Sequence, residues 1–98
     1  MSQIEIVKEQ ETQAGWSFEA QILDDAGSLH RHTLTISWAD YNLWSRDGAD
    51  RPVDVAEAVI RFLLQRMPAG ELRRRIDAAI ARRLYDDADD VIPTLISR

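Results

Sequence analysis

The chain has 98 residues, of which 45% are hydrophobic, and carries 12 basic against 17 acidic side chains with no cysteine. That length makes a single domain, 1–98, and the missing thiols exclude a disulfide framework, a thiolate metal site and a cysteine nucleophile. A net charge of −5 opposes general nucleic-acid binding, no apolar run reaches the roughly 18–20 residues that cross a bilayer, and Glu5 stands where a signal peptide needs apolar residues, so a soluble cytoplasmic protein without membrane contact is expected.

Ile4, Ile6 and Lys8 begin a weak alternation, and polar residues from Gln10 to Gly15 form a connection. Trp16, Phe18, Ala20 and Ile22 then alternate with Ser17, Glu19 and Gln21, the period of a half-buried strand. Asp24 to Ser28 supplies turn residues around Gly27. His30, His32, Leu34 and Ile36 form a second alternating face, so the two runs predict an antiparallel hairpin. Ser37 caps the next helix, with Asp40 three residues on. That helix, 38–46, stops near Gly48. Pro52 suits a helix first turn, and Val53, Ala56, Ile60, Leu63, Leu64 and Met67 recur at helical spacing over 53–67. Pro68-Ala69-Gly70 ends the segment. Leu72, Ile76, Ala79, Ile80 and Leu84 suggest a third helix, 71–86, before an acidic and then apolar tail.

These elements predict an α+β fold. A small antiparallel sheet of two or three strands over residues 3–37 precedes two or three helices packed on one face. The front and back of the chain differ in charge. Residues 1–60 hold four basic against eleven acidic side chains, whereas 61–98 hold eight against six.

No arrangement in the sequence marks a reaction centre. His30 and His32 share a strand face and are candidate metal ligands, yet two imidazoles fall short of a site. Asp86, Asp87, Asp89 and Asp90 lack the alternate spacing, central glycine and closing glutamate of a calcium loop. The glycines stand singly, so no phosphate cradle exists and no cofactor is expected. Trp38, Tyr41 and Trp44 recur every three residues and serve either as core pins or as interface anchors. Val91, Ile92 and Leu95 in the tail either dock or offer apolar surface to a partner. Arg74, Arg75 and Arg82 are the candidate phosphate contacts. Their ordinary role is a solvated helix face pairing with Asp77, Asp86 and Asp87.

From about Gly27 onward the pattern resembles a family of small bacterial proteins without assigned function. The matching positions are His32 near the start of an extended segment, Tyr41 with Leu43 and Trp44, Pro52, Phe62-Leu63-Leu64-Gln65-Arg66, and Ile76 to Ile80. The chain departs from the family in its Tyr-to-Leu spacing and in Arg66-Met67, where the family has Arg-Glu. The resemblance implies the architecture and no catalytic residue. The sequence reading is therefore a non-enzymatic interaction module that partners another protein or itself as a homo-oligomer. A nucleic-acid-binding or regulatory accessory role for the Arg-rich third helix is the alternative.

Overall fold

The computed structural model describes residues 2–97, so the end positions 1 and 98 of the expected domain lie outside the described residues. Strands β1 (Gln3–Glu11), β2 (Gly15–Leu23) and β3 (Leu29–Ser37) come first. Helices α1 (Trp38–Trp44) and α2 (Pro52–Leu64) follow, then a 3-10 turn at Ala69–Glu71. Strand β4 (Arg75–Asp77) and helices α3 (Ile80–Leu84) and α4 (Ala88–Leu95) complete the chain. The sheet order is β1-β2-β3-β4. The first three strands are antiparallel and β4 runs parallel to β3. The class is α+β, as expected, but the sheet is mixed and has four strands.

Alternation in β2 and β3 places Trp16, Phe18, Ala20, Ile22, Leu34 and Ile36 on one buried face, and α2 lies across it. Trp16 and Ile60 thus belong to the same core. The other sheet face carries Glu19, Arg31 and Thr35 and is exposed. The hairpin turn closes because Asp24 accepts bonds from the Ala26 and Ser28 N–H groups at 3.0 and 2.8 Å. Ser37 caps α1 by accepting the Asp40 N–H at 3.1 Å, and Pro52 occupies the first turn of α2.

Among the described residues the helices number four, not two or three, and the first ends at Trp44, short of 46. The second ends at Leu64, short of 67, in a turn that continues to Met67. The stretch 71–86 is not one helix. The Thr33 N–H donates to the Arg74 carbonyl at 2.7 Å, and the Ala78 N–H donates to the Thr35 carbonyl at 2.8 Å. Strand β3 would otherwise leave this edge unpaired, and Ile76 fills the core beside Leu34. Pairing with the sheet outweighs local helix preference here, as tertiary contacts commonly do. The tail folds as α4, burying Ile92, Pro93 and Ile96 against α2 and α1.

Candidate functional site

The six aromatic and tail residues expected at an interface occupy different depths. Trp44 is fully buried, and its indole N–H donates to Asp89 at 3.0 Å. Tyr41 is buried with its hydroxyl aimed at the carbonyl oxygens of Gly48 and Asp50, which closes the loop before α2. Ile92 is fully buried, while Val91 and Leu95 are half-buried against the core. Trp38 alone among them keeps broad surface, 45% exposed, with its ring tilted on Trp16 at 4.3 Å.

The predicted arginine cluster divides. Arg82, on α3, binds Asp89 at 3.0 Å and Asp40 at 3.5 Å, tying α3 to α1 and α4. Arg74 and Arg75 lie on the segment that enters and forms β4, not on a helix face. Neither pairs with Asp77, Asp86 or Asp87 among the described residues.

The two histidines are held separately. The His30 ring bonds Asp24 at 2.8 Å. His32 is buried, and because a carbonyl only accepts, its Nδ1–H donates to the Arg73 oxygen at 2.7 Å. Its Nε2 is then buried without a hydrogen-bond partner among the described residues. The rings lie 6.4 Å apart, and among the described residues no third ligand joins them to make a metal-holding group.

His30 lowers the Asp24 pKa below the usual carboxylate value, helped by the Ser28 and Ala26 N–H groups. A carboxylate depressed in the folded state stabilises fully above its unfolded pKa of about 3.9 and loses that stabilisation as pH falls through the folded value. Wild type should therefore exceed Asp24→Asn in urea midpoint above about pH 4 and converge with it in stronger acid. Equal midpoints throughout that range would show that the turn contributes no such coupling.

Two strand edges remain open, and they differ. Along β1 the register with β2 slips between Ile6 and Lys8, leaving Val7 as a bulge. Glu5 pairs with Gln21 and Lys8 with Glu19, so Glu5 and Lys8 share the outer face despite standing three apart. Val7 is 47% exposed between them. An unbroken alternation would put these two charges on opposite faces. Sequence reading placed Lys8 in phase with Ile4 and Ile6, whereas the slip puts it on the opposite face; apolar Val7 out of phase with those two was the signal.

The edge beyond β4 borders a groove of about 260 Å3 between that strand, the end of α2 and α3. Leu63, Met67, Leu72, Ile76, Ile80 and Leu84 supply its apolar lining, and Arg73, Arg75, Glu71 and Asp77 its polar margin. Leu84 is 54% exposed. Sequence reading assigned most of these apolar residues to a buried helical stripe and missed the opening. Arg73, whose carbonyl His32 holds, was not among the sequence candidates.

Comparison with models of protein families, with curated proteins and with solved structures returned no match.

Proposed function

We propose that the protein is a non-enzymatic interaction module that self-associates through the free edge of β1. The observation that supports this reading is the charge order which the Val7 bulge creates on that edge. Consider two β1 strands paired antiparallel about an axis between Ile6 and Val7. Glu5 of each copy then faces Lys8 of the other, Ile4 faces Glu9, and Gln3 faces Gln10. No like charges oppose one another. A pairing centred on Glu5 or on Lys8 brings identical charges together, which is unfavourable in a sheet. The bulge and its flanking charges guard the edge against indiscriminate pairing while leaving one register with matched charges.

Light scattering across a concentration series tests the reading. Wild type should form a dimer, and either Glu5→Lys or Lys8→Glu should weaken it about tenfold or more, since each turns two attractions into repulsions. The double exchange Glu5→Lys with Lys8→Glu should restore it. A wild-type chain that stays monomeric at millimolar concentration, or a double exchange that fails to rescue, would sink the proposal. The alternative of nucleic-acid binding by one helix bearing Arg74, Arg75 and Arg82 has less support, because Arg75 lies on β4, Arg74 just before it and Arg82 on α3.

A further inference from the structure

We infer that the β4 edge is a second, independent docking site, and that it takes an extended segment of a partner protein alternating apolar and acidic residues. In a parallel ladder, successive residues point their main-chain groups to opposite neighbours. The bonds from Thr33 to Arg74 and from Ala78 to Thr35 fix which groups face β3. The N–H and C=O groups of Arg75 and Asp77 consequently face the open side. An added strand meets four main-chain partners there, with the apolar groove beside it to receive alternate side chains.

Charge selects the occupant. The chain has more carboxylates than basic groups; Arg51, Arg61 and Arg66 each bind one, and Arg82 binds two. Arg73, Arg74 and Arg75 are exposed yet make no ion pair among the described residues. Of the two carboxylates on the groove margin, Asp77 is engaged by the Ala79 N–H at 3.0 Å. The Arg73 and Arg75 guanidinium groups on the groove margin are thus free to meet an acidic strand. Their backbone is already fixed, because His32 and Thr33 hold the Arg73 and Arg74 carbonyls. Ordering this edge costs a partner little.

This chain's own acidic and apolar strand, β1, is a poor occupant, since Ile4 and Ile6 pack on its own core. Nucleic acid fits less well than peptide. The groove is apolar and suits alternate apolar side chains, which a phosphate backbone does not supply.

The test uses a short fluorescent peptide of alternating valine and glutamate, with lysine replacing glutamate in a second version. Anisotropy should show saturable binding of the acidic peptide, weakened about tenfold by Arg73→Glu/Arg75→Glu and by Leu84→Asp, and at least about tenfold weaker binding of the lysine peptide. Leu84 is exposed enough for that variant to stay folded, and amide exchange checks the location independently. Protection should rise at the Arg75 and Asp77 N–H groups and stay unchanged along β1. The Lys8→Glu chain should bind as wild type does, so failure of the β1 reading leaves this one standing. No saturation at millimolar peptide, equal binding of the lysine peptide, protection only elsewhere, or capture of a single-stranded oligonucleotide but not of the peptide would each overturn the inference.

Discussion

Gly15→Ala is expected to cost about 4 kcal/mol, from a native stability that for a domain of this size is about 5–15 kcal/mol. A methyl group built at Gly15 would sit 2.0 Å from the Ile36 carbonyl oxygen, where φ is +153°. The obstacle is the backbone of β3, a strand paired on both sides, so no side chain can swing away to relieve it. Gly15 opens β2 opposite Ser37, and the Trp38 N–H donates to the Ala14 carbonyl at 3.0 Å beside it. The substitution pushes the sheet and the start of α1 apart together. Thermal unfolding should show Tm lowered by at least about 15 °C. Gly27→Ala is the control. Its φ is +85°, but nothing lies within 4 Å of the added carbon, so the cost is the backbone strain alone, about 1 kcal/mol. If the two variants melted together, the β2–β3 register described here would be wrong.

Trp44→Ala should be comparably damaging, about 3–5 kcal/mol. Trp44 is among the largest fully buried side chains. It stands where α1 meets α4, and its indole N–H reaches Asp89, which also holds Arg82. Truncation therefore opens a cavity and removes one of the bonds that fasten the carboxyl-terminal helix. Trp44→Phe keeps most of the packing and loses the bond, so a cost nearer 1 kcal/mol is expected. Urea midpoints followed by circular dichroism separate the two contributions. A cost below about 1 kcal/mol for the alanine variant would mean that α4 does not dock on α1. The same contacts show why removing the tail is a poor probe of self-association. A chain ending at Asp90 loses Ile92 and Ile96 from the core and should unfold before its assembly can be measured.

Much of the framework was legible because burial on one side imposes a period. Trp16, Phe18, Ala20 and Ile22 announced a strand, and Leu34 and Ile36 placed its neighbour. Ser37 and Pro52 marked helix starts through local chemistry that needs no tertiary partner. Strand β4 was not legible. Its three residues include one buried side chain, Ile76, and a single apolar position has no period. The surrounding Leu72, Ile76, Ala79, Ile80 and Leu84 fit a helical stripe equally well. Only the open edge of β3, a feature of the assembled sheet, decides between them. The far half of β1 was missed for a different reason. The slip at Val7 reverses the phase, and Glu9 and Glu11 then occupy the face that Ile4 and Ile6 begin.

The interface candidates were separable only in three dimensions. Trp38 and Trp44 are chemically alike in sequence, yet six positions around α1 place one against Asp89 and the other half in water. For the arginines, sequence marks where guanidinium groups concentrate. It does not say which carboxylates fold back to meet them. Arg82 finds Asp40 and Asp89 through α1 and α4, whereas Arg73 to Arg75 find none among the described residues.

The parallel attachment of β4 has a bearing on biosynthesis. A nascent polypeptide released up to residue 74 already contains the whole three-stranded meander and helices α1 and α2, but not the strand that covers one flank of β3. Until the ribosome delivers Ile76, that flank is a temporary vacancy next to Leu34, and a segment translated after the rest of the sheet must seal it.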